Sequence, residues 1–588
     1  MLIDDGKLRR GNDGRWTLAA VPGALPVPPT IQALLGARVD RLPEDERALL
    51  THVSVEGNVF HREAMRELAP AALAPVADRT LTSLIRRDVI RPERSSFGDD
   101  EAFRFRHILI RDAAYRSLPK QTRAELHERF AGWLERAAGE RVHELEEIVG
   151  YHLEQAYRFR GELGQAGSGT DALAARASRW LESAGRRALR RSDRAAAVRL
   201  LERAAALTSA DTAQRAALLA DLGGALIEAG RLVDAGPVLA DAIRSAEASG
   251  DERAAARTLI HREFLRLQLS EAEGNADAYA AVEQAIPIFR ETGDEQGLCT
   301  ALRLRAWVNW IEGRSEAAAL AWEVAAGHAR SAGLEHERIE ILGWIASSLF
   351  WGPAPVGAAI ERCEAIRAEV EGNLVATADV LQPLAGLHAM EGRFEEARRL
   401  LAESAAAFEE LGRSLSTAVS HHAAEVEMLA GDPAAAEGWL RKGYAALEEM
   451  GDRALLSTTA AYLGQVLAVQ GRDEEADHFV ELSADLTGDD DVVTQTIVHG
   501  VRATILAQRG ALADAERLAR EAVSLADQTD FLNDQAESRL VLAAVLSKSD
   551  RPEEAKAARE DALALYEQKG NLVAADQVRR DLVPHAPV

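Results

Sequence analysis

Gly392-Arg393-Phe394-Glu395-Glu396-Ala397-Arg398-Arg399-Leu400-Leu401 is the stretch from which the fold can be read, because the chain repeats it. Gly431-Asp432 leads to Ala436, Gly471-Arg472 to Ala476, Gly510-Ala511 to Ala515 and Asp550-Arg551 to Ala555, at steps of 39 or 40 residues. Further upstream, Gly313-Arg314 with Ala318 and Gly230-Arg231 with Ala235 follow at intervals close to two periods. A constant period in this range marks stacked helical hairpins, none of which can bury its apolar face alone. Residues ahead of each turn are apolar at helical spacing, as in Leu381, Leu384, Leu387 and Met390, or Ala460, Leu463, Val466 and Val469. The turn glycine supplies the left-handed residue that ends a helix, where a side chain costs roughly 1 kcal/mol. The alanine five positions on lets the second helix approach the first. A larger residue there would overpack the crossing by about 1–3 kcal/mol.

Composition agrees with an array. The 588 residues exceed what one compact core accommodates, and favour a smaller leading domain followed by repeats. Hydrophobic residues make up 47% of the chain but aromatics only 5%, which suits thin, alanine-rich helices. No run approaches the roughly 18 apolar residues of a membrane span, and MLIDDGKLRR has no apolar signal-peptide core. A cytoplasmic location without membrane contact is expected. Cys299 and Cys363, on helices of different repeats, read as buried thiols in a reducing compartment. The net charge of −25 is unevenly placed: residues 1–140 carry 22 Lys and Arg against 21 Asp and Glu, and the remainder 47 against 73. An acidic array repels phosphate backbones, so nucleic acid is not an expected partner.

Ahead of the repeats, Pro28-Pro29-Thr30 starts a helix to about residue 42, and Pro43-Glu44-Asp45 opens a second through Val53. Helical patterns follow near 61–68, 78–88 and 107–118. Between the last two, Val89-Ile90-Arg91 and Phe103-Arg104-Phe105-Arg106 alternate apolar and polar around Gly98-Asp99-Asp100, a two-stranded wing. The fold class is therefore all-α with one small β wing: a winged helix with its connecting helix over 28–140, then a tetratricopeptide-like (TPR-like) α-solenoid over 141–588. About ten hairpins and a capping helix near 572–582 fill the second part. Asn12-Asp13-Gly14 marks a short polar hairpin, 164–170 a Gly/Ser break, and Trp351-Gly352-Pro353-Ala354-Pro355 a place where proline replaces the usual turn.

The segments PPTIQALLGARVDRLPEDERALL (28–50) and FRFRHILIRDAAYRSL (103–118) resemble the region after the nucleotide-binding module of bacterial STAND-type signalling ATPases. That group includes adenylate/guanylate cyclase-associated ATPases and large LuxR-type regulators. The resemblance covers about 28–140 by residues and the rest by architecture. It implies that 1–27 is a linker from a preceding ATPase-type module, and that the array is a non-catalytic sensor and protein-interaction region. The concave face would take a protein, peptide or small ligand, and the winged helix would pass that state to the ATPase module. The family's phosphate-touching histidine matches His107, which is followed by Ile108 where the family has Asp. No G-x-x-x-x-G-K-[ST] loop is present; Gly6-Lys7-Leu8 lacks both the leading glycine and the hydroxyl residue. ATP or ADP would thus be held only through a separate nucleotide-binding module. Two other readings stand beside this one: a freestanding TPR-like scaffold, and a large LuxR-type transcriptional regulator without its DNA-binding domain.

Five of the nine tryptophans fall within 307–351. Trp307, Trp310, Trp344 and Trp351 lie on first helices, which line the inner wall of such arrays, where aromatics anchor ligands or fill core. His107 has a plainer alternative, capping the helix after the wing. Arg104, Arg106, Arg111, Arg116 and Arg123 cluster near the wing and are expected to pair with Asp99, Asp100, Asp112 and Glu125. His388, His421, His422 and His499 lack metal-ligand spacing, so no metal is expected. No nucleophile carries a motif around it, and no enzymatic activity is expected.

Overall fold

The computed structural model describes 8–10 and 16–18 by backbone, and 39–95, 100–209, 212–269, 275–410, 417–450, 453–488 and 491–583. The start of the helix read from Pro28 and the Gly98-Asp99 corner of the wing lie outside the described residues. Two compact units are formed, one from Met1–Ala188 with Ala195–Ala210, the other from Leu189–Arg194 with Asp211–Val588.

In the first unit, Leu8–Arg10 pairs antiparallel with Trp16–Leu18; Asn12-Asp13-Gly14 lies outside the described residues. Helices Glu44–Val53, Arg62–Leu68 and Ala77–Arg86 then surround a three-stranded sheet. Its strands are Val59–His61, Ile90–Glu93 and Ala102–Phe105, with Ala102–Phe105 in the middle and antiparallel to both neighbours. The two strands read from sequence pair as Ile90–Glu93 with Ala102–Phe105, and Val59–His61 is a third strand that the reading did not contain. Three residues are too few to show alternation, and Val59–His61 runs directly into the helix whose pattern absorbed it. Phe60 holds this strand in place by packing against Phe103 and Phe105, with ring centroids at 5.7 and 5.6 Å. Leu49, Leu50, Met65, Leu81, Leu84, Phe105 and Ile110 complete the core, each burial contributing about 1.5–3 kcal/mol. The order in this part is helix, strand, helix, helix, strand, strand, and Ile108–Ser117 follows it.

Helices Lys120–Ala138 and Glu146–Glu162 come next, joined through a buried polar chain. The Tyr115 hydroxyl lies 2.8 Å from His127 Nε2, and His127 Nδ1 lies 2.8 Å from His152 Nδ1. Burial lowers both imidazole pKa values, that of His152 to about 3. With both neutral, one Nδ1 must donate to the other. Helices Ser168–Arg190 and Arg194–Ala206 form the first hairpin, after the break read at 164–170.

Among the described residues, the second unit holds nine hairpins, closed by the helix Leu572–Leu582. The turn glycines behave as their spacing demands: Gly230, Gly313, Gly392, Gly431, Gly471 and Gly510 have φ between 68° and 83°. Asp550, the one non-glycine of the series, sits at φ 62°. The partner alanines Ala235, Ala318, Ala397, Ala436, Ala476, Ala515 and Ala555 are all fully buried at the crossings. First helices tend to start on a side-chain cap: Thr212, Asp251, Asp294, Asn373, Asp491 and Asn571 each accept from the amide three residues on. Along most of the array, first helices of successive hairpins pack side by side while second helices make far less contact. The first helices are thus the inner layer.

The array also closes on itself. Asp530 accepts from the amides of Ser315 and Glu316 at 2.9 and 2.8 Å, capping the helix Ser315–Ser331 across 215 residues of sequence. The Asp530 amide in turn donates to the Gly313 carbonyl at 2.9 Å. Gly313 must be glycine for a second reason, since a Cβ there would lie 2.5 Å from Thr529 Cγ2. Where proline breaks the turn after Trp351, the fully buried Lys569 donates to the carbonyls of Leu349, Gly352 and Ala354 at 2.9, 2.6 and 3.0 Å. At a period near 40, this closure brings together hairpins about five and a half repeats apart.

Candidate ligand-binding site

His107 occupies the N-cap position of Ile108–Ser117 and is exposed, but its side chain makes no hydrogen bond to that helix. The arginines around it are matched locally. Arg104 pairs with Glu93 at 2.6 Å, Arg106 with Asp88 at 3.4 Å and Arg111 with Asp112 at 3.2 Å. Arg123 lies over the Tyr115 ring and donates to the Arg116 carbonyl. Of the expected pairs among the described residues, Arg111 with Asp112 forms, while Arg104 and Arg106 take Glu93 and Asp88 instead; Asp99 lies outside the described residues.

The tryptophans divide into two groups. Trp307, Trp310 and Trp344 surround Trp322, which is 1% exposed, with ring centroids 4.5 to 6.3 Å apart. Trp351 stands apart from this nest, against His422, Tyr462 and Phe531 at 5.8, 6.2 and 6.4 Å. Phe531 links the two groups, 5.9 Å from Trp310. Trp307, Trp310, Trp344 and Trp351 all remain partly open.

Next to Trp351 the inner layer turns polar. Glu425 stands on Thr417–Leu429, Tyr462 and Gln465 on Arg453–Val469, and Asp534 and Glu537 on Leu532–Lys548, while Tyr566 comes from a second helix, Pro552–Lys569. Gln465 Nε2 donates to Glu537 Oε2 at 2.9 Å, joining helices that are not neighbours in the array. Leu429 packs against the cluster containing Ala536 and Tyr566. The interior is therefore narrow. Burial raises the pKa of all three carboxyls, and their mutual repulsion raises it further for Glu425 and Asp534; Asp534 is pushed up to about 8. Burial, and then these same three charges, push the Tyr462 and Tyr566 phenols well up.

Sequence reading missed this group. Its members are dispersed over four helices, and only their polar identity on first helices distinguishes Glu425, Asp534 and Glu537 from the many surface carboxylates. The remaining candidates are buried. Cys299 and Cys363 are buried free thiols, pushed up by burial to about 11 and about 12. His421 Nε2 lies 2.8 Å from Thr459 Oγ1 and is lowered by burial to about 3. Among the described residues no cluster of three or more His, Cys, Asp or Glu is placed to hold a metal ion.

No protein-family model matches this chain, and no curated protein matches it. Solved structures that resemble it are helical-repeat proteins. The Cut9–Hcn1 hetero-tetramer of the APC/C covers 80% of this chain and 92% of its own, at 12% identity and a TM-score of 0.44. A STAND protein with a tetratricopeptide-repeat sensor from Pyrococcus horikoshii covers 95% of this chain and 68% of its own, at 13% identity and 0.33. A Rap protein complexed with Competence and Sporulation Factor covers 58% and 99%, at 13% identity and 0.39. At such scores and identities they say nothing of what this chain binds.

Proposed function

We propose that the chain is a non-catalytic, cytoplasmic sensor and interaction region, whose repeat array takes a peptide, protein or small ligand on its inner layer. The observation that carries this is the first-helix wall beside Trp351, where the Trp351 ring stacks near Tyr462 and the carboxyls of Glu425 and Asp534 have raised pKa values. Such groups contribute little to folding, and burial of ionisable side chains away from structural ion pairs marks functional surfaces. Hydrogen exchange, measured as fractionated peptide and metabolite pools are added, tests the reading. Slowed exchange should appear in first helices. Protection confined to second helices would overturn it.

The link to a STAND-type ATPase belongs to the same proposal. It is supported by the sequence resemblance at 28–50 and 103–118 and by the small three-stranded sheet among helices that the described residues 44–117 form. Exposure leaves His107 free to meet a phosphate on a nucleotide-binding module. Coding DNA upstream of Met1 with an in-frame phosphate loop would join the two. In that joined protein His107→Ala should weaken ADP retention, and unchanged retention would remove the nucleotide role. A freestanding scaffold is the second reading, and finding no such loop upstream would select it.

A further inference from the structure

The last hairpin of the array does two things at once. Leu532–Lys548 and Pro552–Lys569 stack on the repeat before them, as the other hairpins do. Together with the closing helix Leu572–Leu582, they also lie against first helices of much earlier repeats. Asn533 Nδ2 is 3.9 Å from Met390 Sδ, and Leu429 packs against the cluster of Ala536, Tyr566 and Ala574. Phe531, in the turn leading into the hairpin, meets the rings of Trp310 and Trp351 at 5.9 and 6.4 Å. The chain thus covers part of its own inner layer. Leu374–Met390 shows the result: every residue from Val380 to Met390 is buried, so that stretch presents no free face to a ligand.

This cover is held differently from the repeats. Successive hairpins adhere through apolar stripes, a large and distributed contribution. The seam has apolar contacts too, but two ionisable side chains pin it. Asp530 caps Ser315–Ser331 from outside that helix, and Lys569 donates to three carbonyls at the broken turn. Lys569 is fully buried, and among the described residues no carboxylate lies within ion-pair distance of it. A buried ammonium without a counter-charge is a costly anchor. The covered helix carries a second cost. Gln382 Oε1 and His388 Nδ1 are buried without a hydrogen-bond partner among the described residues, and water would satisfy both in an open array. Anchors that favour the closed array are therefore set against desolvated groups that favour an open one. A contact built from such opposed terms releases more readily than an apolar stack of the same extent.

We propose that the seam is an autoinhibitory latch: Asp530 and Lys569 hold residues 530–582 over the inner layer, and a ligand reaches that layer only when the two anchors let go. This rests on the reading of the inner layer as the ligand-binding surface, and adds its regulation. Opening requires no helix to unfold. The last hairpin keeps its stacking on the repeat before it, while small rotations between hairpins add up to part the seam.

A reversible lock tests this in the 588-residue chain. A Cβ on Gly570 would lie 3.6 Å from Val356 Cβ across the seam, within disulfide range. Val356→Cys with Gly570→Cys, in a Cys363→Ala background, should hold the seam shut when oxidised and free it when reduced. Both forms are one molecule, so any strain at residue 570 cancels in the comparison. The release variant is Asp530→Ala with Lys569→Met. Acrylamide quenching of tryptophan reports the seam, because Trp310 and Trp351 lie against Phe531, and small-angle scattering gives the radius of gyration. Oxidation should lower both readings. The release variant should raise quenching roughly twofold and enlarge the radius, with helix content by circular dichroism unchanged. The proposal falls if oxidation changes neither reading, because the reduced seam then never opens. It falls equally if the release variant matches the parent, or loses helix content together with compactness. Hydrogen exchange with added peptide and metabolite pools separates this from the reading beneath it. First helices protected in the reduced chain but not in the oxidised one support the latch. Protection in both discards the latch and keeps the sensor, whereas an opening seam with protection in neither keeps the opening and overturns the ligand reading.

Discussion

Lys569 shows what a single side chain does at the seam of the array. Burial pushes its pKa down to about 7, while three carbonyl acceptors at the end of the helix Glu335–Trp351 favour the charged form. Helix C-termini leave carbonyls that need donors, and proline after Gly352 has removed the ordinary turn that would provide them. Lys569→Met keeps the stem and deletes the donor. It should cost about 3 kcal/mol, since hydrogen bonds to a buried charge are worth more than neutral ones. Urea unfolding followed by circular dichroism measures this, and a cost below about 1 kcal/mol would mean that water satisfies the carbonyls just as well.

At the scale of the element, the hairpin turn sets the period. Gly392 has φ 79°, and a Cβ on it would meet only Val573 Cγ2, at 3.6 Å, so space does not forbid a larger residue there. The backbone does. Gly392→Ala should lose about 1 kcal/mol, and Asp550→Gly, relieving φ 62° at the equivalent turn, should gain up to roughly that amount. Thermal melts of the two single variants check the pair, and shifts of the same sign would show that the turn conformation is not what matters. Inside the first helices a different glycine rule operates. A Cβ on Gly386 would lie 2.2 Å from Phe350 Cε2, and one on Gly464 2.6 Å from Val480 Cγ2, so these positions admit neighbouring helices by lacking a side chain.

For the whole molecule, stability depends on pH through two opposed sets of acids. Burial, then repulsion, raises Glu425 and Asp534, so the folded chain holds protons that an unfolded one releases near pH 4. The contribution of Asp534 is full below about pH 4 and lost as pH rises through about 8, and that of Glu425 is lost in the same direction, as pH rises. Glu437 is opposite: burial works to raise it, but hydrogen bonds from Arg441, Gln470 and Arg472 win and bring it to about 2. Its contribution is present above about pH 4.3 and lost as pH falls through about 2. The melting temperature should therefore peak in mildly acid solution and decline toward pH 8. Asp534→Asn should flatten that decline, and an unchanged decline would remove the interior acids as its cause.

Local architecture was legible in the residues alone, because helix spacing, a left-handed turn and a small residue at a crossing are all set within one period. Gly392 and Ala397 could be read without knowing any partner, and the structure places both as their types require. The strand Val59–His61 escaped because its reason to be a strand, the packing of Phe60 on Phe103 and Phe105, lies more than 40 residues away. Closure of the array escaped for the same reason on a larger scale. Nothing near Asp530 or Lys569 announces that their partners are Ser315 and Gly352. The interior acids were visible only as scattered charges until superhelical winding set Glu425 beside Asp534 and Glu537. Short-range sterics are written into neighbouring residues, but which charges share an enclosed space is decided by the cumulative rotation of many hairpins, and no single period contains it.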